Sequence, residues 1–423
     1  MKQLVIIITA LFCFSGTLFA QDSYFGDFKS DTDMEVKAPG QNMFNKGVQY
    51  GGWLTPVMFY SKDDSAELSQ SINTLRVWFR SALWNDASIY IRGKYTFTGT
   101  MYEKDSNASD TDHVVDLDIA SLNMSFFDKQ LTVEMGRKYF LVGSGLVLNN
   151  RADGIQVNYF NKYVNVQALA SYTGLLLKDS NPYYIKTADL SGSEDYFFAG
   201  GTLSGSYFNQ TLYGIALAQK QFEDGPGGKV ENQFYGGGLK GAIIDGLTYY
   251  VEFVYQLQSK SGEDFKEIGS ALEVKYSLDK ITKPVFMFQY AYGSASTTST
   301  FVNFGTYNAG LAWNPDIENL HVLRFGTSVS PTDMLAITWL KRMSLIFKYS
   351  LYLVDDTDLI NAGGDASAVG EELAGHGLDF ALRWRIFSDL SFFANYGLFI
   401  PGAAIGSADP NRHFAMGGLN ISF

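Results

Sequence analysis

The sequence predicts an all-β fold: a transmembrane, antiparallel up-and-down β-barrel of the outer-membrane type, with about eighteen strands. The chain has 42 Gly, 33 Phe and 26 Tyr but only 9 Pro, which suits many strands with aromatic girdles better than a helical core. Apolar and polar residues alternate along most of the chain. Beyond the N-terminus no apolar run approaches the roughly 18 residues of a spanning helix. A membrane location therefore requires a closed barrel.

The N-terminus has the order of a secretory signal peptide, with Lys2, an apolar run over 4–14 and a small-residue site ending at Ala20. We expect cleavage near Ala20 and delivery to a bacterial outer membrane. The only cysteine, Cys13, lies in this segment, so the mature chain has no disulfide. Residues 21–44 show little periodicity and are expected to form an N-terminal periplasmic arm. The barrel domain then covers 45–423.

Two segments illustrate the strand pattern. In "SIYIRGKYTFTG" (88–99), Ile, Tyr and Phe side chains alternate with Arg92, Lys94 and small polar residues, and "LTYYVEFVYQL" (247–257) repeats the pattern. Segments of this kind predict strands near 46–60, 71–83, 87–101, 113–126, 130–142, 151–160, 163–173, 195–208, 211–222, 230–243, 247–258, 266–278, 283–294, 319–330, 334–353, 375–388, 390–404 and 412–423.

The connectors alternate between tight turns and long polar tracts. Tight turns such as "WNDA" (84–87) and "DG" (245–246) would be periplasmic, whereas tracts such as 178–195 and 355–372 would be extracellular loops. The longest tract, 294–320, carries four aromatic residues. It either folds inward and plugs the bore or only constricts it. The last strand ends at Phe423, a terminal aromatic expected to be presented to the barrel assembly machinery.

The charge distribution predicts an aqueous lumen with a basic bias. The chain has a net charge of −12, but the long loops hold much of the acidic excess. Taking the face opposite the apolar one as the lumen, the alternation places eleven basic against six acidic residues inside. The basic residues are Arg76, Arg80, Arg92, Lys94, Lys138, Lys275, Arg324, Arg342, Lys348, Arg383 and Arg385. The acidic residues are Asp116, Asp118, Glu134, Glu252, Glu273 and Asp379.

A channel wall biased toward arginine attracts anions, because guanidinium pairs with carboxylate in a two-pronged geometry. The alternative is that these charges only pair across strands and solvate the wall. The segment "DFALRWRI" favours the first interpretation, since it puts Arg383 and Arg385 on one face with only Asp379 nearby.

The segment "GRKYFLVGSGLVLNNRADGIQV" (136–157) predicts a hairpin with charges at its base. We expect Arg137, Lys138, Arg151 and Asp153 at lumen or rim positions and Phe140-Leu141-Val142 facing lipid. Strict alternation would turn Arg137 outward, so a bulge near Gly136 is expected to turn it inward.

This hairpin resembles one of the alginate export family, in which Gly-Arg-Gln pairs with Arg-x-x-Asp-Gly. The tail "ANYGLFIPGA" (394–403) is similar to the penultimate strand of the same family. The resemblance implies an eighteen-stranded outer-membrane barrel with an arginine-lined pore that passes alginate. It also implies that Gly136, Arg137, Arg151, Asp153 and Gly154 are the matching positions, with the arginines contacting substrate carboxylates or bracing the wall. Lys138 stands where the family usually has Gln.

Other patterns predict no chemistry. "GGGLKG" (236–241) matches a dinucleotide fingerprint but runs into another strand segment rather than a helix, so a glycine-rich strand is expected. His113, His321, His376 and His413 fall at strand ends and are interpreted as rim residues. No serine pairs convincingly with a histidine, so we expect no enzyme, cofactor or metal site.

Two functions remain open. The first is a passive outer-membrane channel for anionic solutes or polysaccharide, lined by the basic residues named above. The second is a non-transporting barrel, an adhesin or receptor that binds a partner through its acidic loops. Besides the solute, outer-membrane lipid and lipopolysaccharide are the expected partners, with no nucleic acid.

Overall fold

The computed structural model describes residues 48–63, 67–84, 86–104, 111–173, 196–222, 230–260, 262–279, 282–296, 299–304, 307–331, 342–359, 361–362, 365–366, 369–405 and 410–423. The expected signal peptide (1–20) and periplasmic arm (21–44) lie outside the described residues. No helix among the described residues is long and apolar enough to cross a membrane.

The described residues form twenty strands, of which eighteen belong to one sheet. The first ten are β1 (Val48–Lys62), β2 (Glu67–Trp84), β3 (Ala87–Glu103), β4 (Thr111–Phe126), β5 (Leu131–Val142), β6 (Leu148–Phe160), β7 (Val164–Tyr172), β8 (Tyr196–Tyr207), β9 (Gln210–Gln221) and β10 (Val230–Ile244). The others are β11 (Leu247–Lys260), β12 (Glu263–Ser277), β13 (Val285–Gly293), β14 (Leu320–Val329), β15 (Met343–Val354), β16 (Asn361–Ala362), β17 (Asp365–Ala366), β18 (Leu373–Arg385), β19 (Leu390–Pro401) and β20 (Arg412–Ser422). The short β16 and β17 form a separate hairpin within a loop.

The eighteen-stranded sheet closes into a barrel. Each of these strands pairs antiparallel with the next strand of the sheet along the chain, so that β15 pairs with β18, and β1 pairs with β20. Two backbone bonds of 3.0 Å between Gly52 and Phe423 extend this closing ladder. Closure pairs the first strand with the last, so neither is left as an open edge in lipid. The predicted fold class and strand number are therefore confirmed.

The two faces of the strands differ as the alternation predicts. On β3, Arg92 and Lys94 are buried on the inner face, whereas Ile91 and Tyr95 are exposed on the outer face. On β11, Glu252 is buried between the exposed residues Val251 and Phe253. Apolar side chains on the outer face match a lipid-facing band.

Strand boundaries differ from the prediction at a few places. β15 begins at Met343 rather than near 334, because Arg342 lies in a turn with φ +75°; residues 332–341 lie outside the described residues. The "GGGLKG" segment lies inside β10, as expected. There a Cβ on Gly238 would overlap the ring of Tyr213, so the glycine makes room for an aromatic side chain of the neighbouring strand.

Candidate functional site

The end of the β5–β6 hairpin leaves the barrel wall. The β4–β5 ladder ends at the pair Ala120–Arg137, and the β6–β7 ladder ends at Asp153–Tyr172. β5 and β6 nevertheless remain paired with each other up to Val142–Leu148. The backbone of the hairpin beyond Arg137 and Asp153 therefore forms no ladder with either flanking strand.

Two glycines lie where the hairpin departs. Gly136 and Gly154 face each other in the β5–β6 ladder, and Gly136 has φ +115°. A Cβ on Gly154 would overlap the carbonyl oxygen of Ala170 and lie 2.7 Å from the Ser171 Cα. Both positions thus require glycine, Gly136 for its backbone conformation and Gly154 for the close approach of β7. Arg137 is buried on the inner side, but the expected bulge near Gly136 is absent, since neither the β4–β5 nor the β5–β6 ladder shifts register there. The distortion is instead the positive φ of Gly136.

The hairpin tip lies inside the barrel. The backbone N–H and hydroxyl of Ser144 donate to the Glu252 carboxylate on the inner face of β11, at 2.7 and 2.8 Å. The Tyr213 hydroxyl on β9 donates to the same carboxylate at 2.7 Å. Phe140 and Val142 are fully buried in the internal apolar cluster. The expectation that Phe140 and Val142 face lipid was wrong, because the hairpin bends into the lumen.

The tract 294–320 also folds inward. The Val302 N–H donates to Gln256 on β11 at 2.9 Å, and the Leu311 N–H donates to Asp379 on β18 at 3.2 Å. The Tyr352 hydroxyl on β15 donates to the Ala309 carbonyl at 2.8 Å. This loop therefore contacts the inner wall at β11, β15 and β18.

Loop and hairpin tip pack against each other. The Phe304 N–H donates to the Val147 carbonyl at 2.8 Å, and the two segments form a parallel bridge at Leu148 and Phe304. Phe301, Trp313 and Ile317 of the loop join the hairpin residues in one apolar cluster. Apolar side chains thus occupy part of the lumen toward the loop end of the barrel.

A charged cluster surrounds the base of the hairpin. Asp118 on β4 pairs with Arg92 at 2.6 Å, with Arg76 at 3.4 Å and with Arg151. A bulge in the β3–β4 ladder between Arg92 and Gly93 leaves Asp118 without an opposite residue, and the side chains of Asp118 and Ile119 are both buried.

The remaining members of this cluster tie the hairpin to β4. Arg151 lies 3.0 Å from Asp116, and Arg137 lies 3.4 Å from Asp153 and 4.0 Å from Asp116. Among the described residues the cluster combines five basic side chains with three carboxylates. These are Arg76, Arg92, Lys94, Arg137 and Arg151, with Asp116, Asp118 and Asp153, and Lys94 belongs to the cluster because it lies opposite Asp116 in the β3–β4 ladder. We refer to these eight residues as the hairpin-base cluster.

Three lysines of the inner wall have acidic neighbours. Lys138 pairs with Glu134 and also donates to Gln156 at 3.2 Å. Lys348 lies opposite Asp379 in the β15–β18 ladder and is 1% exposed. Lys275 pairs with Glu273 at 3.0 Å. These pairs add little net charge, unlike the hairpin-base cluster.

The other sequence-predicted residues lie apart from the cluster. Arg324 on β14 donates to the Asn308 carbonyl of the inward loop at 2.7 Å. Arg383 donates to Asn395 at 2.7 Å. Arg80, Arg342 and Arg385 are exposed at the end of the barrel that carries the tight turns. Arg342 lies in a turn rather than a strand, because its backbone adopts a left-handed conformation.

Sequence reasoning missed some inner-wall groups. Lys240, within the glycine-rich motif, was not assigned to the lumen, yet its ammonium lies 5.9 Å from the centre of the Tyr213 ring. Glu267 was not assigned to the lumen, yet it is 3% exposed and accepts bonds from Ser294 and Ser299. The alternation of β10 and β12 contained the signal for both residues.

The fold resembles outer-membrane porins of known structure. The crystal structure of Pseudomonas aeruginosa OccK5 (OpdH) matches with a TM-score of 0.58 at 8% identity, covering 89% of this chain and 98% of that one. Acinetobacter baumannii OccAB2 matches with a TM-score of 0.57 at 12% identity, covering 88% and 98%. Pseudomonas aeruginosa OprD matches with a TM-score of 0.55 at 11% identity, covering 88% of this chain and 95% of that one. At these identities the likeness concerns the fold. No curated protein sequence matches the chain.

The sequence itself matches one family model. Residues 211–417 match the alginate export family. The expected family resemblance is thereby confirmed, and the match includes the tail 394–403 but not the hairpin 136–157 that first indicated it. Barrels of this porin and export type are channels rather than enzymes, and the fold supports a location in the outer membrane.

Proposed function

We propose that this protein is an outer-membrane channel that passes anionic solutes, with the hairpin-base cluster attracting the anion. The observation that carries the proposal is the charge of that cluster, in which five basic side chains face three carboxylates on the inner wall. Two formal positive charges remain in a region bounded by low-dielectric protein and lipid, where a fixed charge concentrates counter-ions. Uronate oligomers are the proposed solute class, because the family match concerns alginate export and guanidinium groups pair well with carboxylates.

Planar-bilayer recordings in asymmetric KCl test the selectivity. The wild-type reversal potential is expected to show anion preference. Arg76→Gln removes one charge from the cluster while Asp118 keeps Arg92 and Arg151 as partners. One unit charge about 10 Å from a passing ion in water is worth about 0.4 kcal/mol, so the anion preference should fall about twofold.

Lys220→Gln is the matched control for this variant. Lys220 pairs with Glu231 on the outer surface, and its side chain is 54% exposed. Lys220→Gln changes the net charge of the chain by the same amount as Arg76→Gln but leaves the inner wall intact. Cation selectivity of the wild-type channel, or equal shifts for both variants, would contradict the proposal. Liposome swelling with graded uronate oligomers against neutral sugars tests the solute class.

A second candidate function is a non-transporting barrel that binds a partner through its loops. The observation that favours it is the apolar packing of the hairpin tip and the inward loop within the lumen. We propose that the loop constricts the bore without closing it. Deleting residues 299–313 should then increase a conductance that is already measurable. A wild-type barrel that conducts no ions would support the second candidate.

We further propose that the chain is exported through its signal peptide and inserted by the barrel assembly machinery, which contacts the exposed terminal residue Phe423. N-terminal sequencing of the outer-membrane form should begin at Gln21. Phe423→Ser should reduce the amount of folded barrel in the membrane fraction.

A further inference from the structure

Each histidine of this protein forms a hydrogen bond with a tyrosine of a neighbouring strand. The chain contains 4 His, and all of them lie within the described residues. The Nδ1–hydroxyl distances are 2.7, 2.8, 2.9 and 2.9 Å. The pairs are Tyr95–His113, Tyr290–His321, Tyr349–His376 and Tyr396–His413.

The four pairs share one geometry. In every pair the histidine lies opposite the residue two positions after its tyrosine, so the two rings are diagonal neighbours across the ladder. The histidines are within the first four residues of β4, β14, β18 and β20. These strands all enter the barrel wall from the end that carries the long loops.

The pairs lie on the outer face of the barrel. Tyr95 lies between the buried residues Lys94 and Thr96, and Tyr349 lies between Lys348 and Ser350, which are also buried. Tyr95 and Tyr396 are 38% and 40% exposed in the absence of lipid. An outward tyrosine near the end of a membrane strand lies at the level of the lipid headgroups.

The tyrosine hydroxyl fixes the orientation of each imidazole. When the hydroxyl donates to Nδ1, the ring proton is on Nε2 and points away from the tyrosine. At His321 the Nε2 atom lies 3.1 Å from the Asp355 carboxylate. Within the described residues this is the one histidine ring with a second hydrogen-bond partner. With the same tautomer, the other three rings carry an N–H donor on the side away from their tyrosines, where the strands meet the headgroup layer.

We propose that His113, His376 and His413 bind the phosphate groups of outer-leaflet lipid headgroups, with their tyrosines acting as positioning residues. A phosphate oxygen is the acceptor that this layer supplies, and a hydrogen bond to an ionised acceptor is roughly twice as strong as a neutral one. The proposal does not depend on the channel function, because it concerns the outer surface of the barrel.

The test uses nitrogen NMR of the folded, full-length chain labelled with ¹⁵N-histidine, since four residues give few resonances. The protein is held at pH 7 in dodecyl maltoside micelles, which contain no phosphate. Adding dioleoyl phosphatidic acid should shift the Nε2 resonances of His113, His376 and His413 but not that of His321. Dioleoylglycerol, with the same chains and no phosphate, should shift none of them. Inorganic phosphate at the same concentration should also have no effect, because it lacks the acyl chains that bury against the barrel.

Variants supply an independent measurement. The triple variant His113→Phe, His376→Phe, His413→Phe should bind phosphatidic acid at least tenfold more weakly, whereas His321→Phe should bind it as the wild type does. Phenylalanine keeps an aromatic ring at the interface, so loss of binding without loss of folding identifies the imidazole. Equal Nε2 shifts at all four histidines, no shift at any of them, or a response to inorganic phosphate alone would overturn the proposal.

Discussion

The contact between Glu252 and the hairpin tip makes a sharp prediction. Glu252 is 0% exposed on the inner face of β11 and accepts three hydrogen bonds, two from Ser144 and one from Tyr213. Replacing Glu252 by leucine removes all three acceptor contacts and keeps an apolar side chain of similar size. We expect the hairpin tip to open more often while the barrel stays closed, because the strand ladders do not include this contact.

The magnitude follows from the two bonds to Ser144. Hydrogen bonds to a charged group contribute about 1.5–3 kcal/mol each, so the tip loses about 3–6 kcal/mol of gross stabilisation. Burying a carboxylate is itself unfavourable, which offsets part of this loss. A net change of about 3 kcal/mol corresponds to roughly a hundredfold increase in opening, since 1.4 kcal/mol is tenfold.

Hydrogen exchange of the segment 138–152 measures this opening. Glu252→Leu should accelerate exchange of the Ser144 amide by about two orders of magnitude and increase brief conductance fluctuations. Glu273→Leu is the control, because Glu273 is also buried on the inner wall but bonds to Gln289 and Lys275 instead of the hairpin. Unchanged exchange in Glu252→Leu, or the same acceleration in Glu273→Leu, would refute the assignment of Glu252 as the anchor of the tip.

Three further predictions concern Gly154 at the bend of the β5–β6 hairpin, the hairpin-base cluster and the inward loop. Gly154→Ala should lower the yield of heat-modifiable, folded barrel on gel electrophoresis, whereas Gly417→Ala should not, because the nearest atom to its Cβ would lie at 3.6 Å. Asp118→Asn should destabilise the barrel by about 3–5 kcal/mol in urea titrations, since it removes the buried carboxylate that pairs with Arg76, Arg92 and Arg151, and should increase anion preference in bilayers. Tyr352→Phe removes the donor to the Ala309 carbonyl and should destabilise the packed position of the loop by about 1 kcal/mol. Amide hydrogen exchange should become faster only in residues 307–313. Faster exchange throughout the barrel would contradict this prediction.

Most of the fold follows from local patterns. Alternation identifies which side chains of β3 and β11 face inward, because each strand separates two different environments and its side-chain period is two. Turn residues and loop lengths gave the strand number. The start of β15 was misplaced because apolar residues before Arg342 continue the alternation although the backbone turns at that residue.

The site was harder to predict, because its arrangement depends on contacts between distant segments. Phe140 and Val142 have the spacing of apolar residues on a lipid-facing strand. Nothing within 136–157 indicates that their side chains pack in an apolar cluster inside the barrel. The information lies partly in Glu252 and Phe304, far along the chain, which receive the hairpin tip. The Gly136 and Gly154 pair was the local signal: two glycines that face each other across a hairpin permit a bend.

The charged cluster and the inward bend have one physical cause. Where β5 and β6 leave the wall, β4 loses its backbone partner beyond Ala120, and unpaired backbone next to lipid is unfavourable. Arg151 partly compensates, because its guanidinium bonds the Asp118 carboxylate and also lies 3.5 Å from the Asp118 carbonyl. Guanidinium groups suit this role because each offers five donors. The cationic surplus thus arises where the wall is least continuous, so the residues that attract an anion also hold the hairpin. Substituting Arg151 should therefore change selectivity and hairpin mobility together, whereas substituting Arg76, which contacts Asp118 from β2, should change selectivity alone.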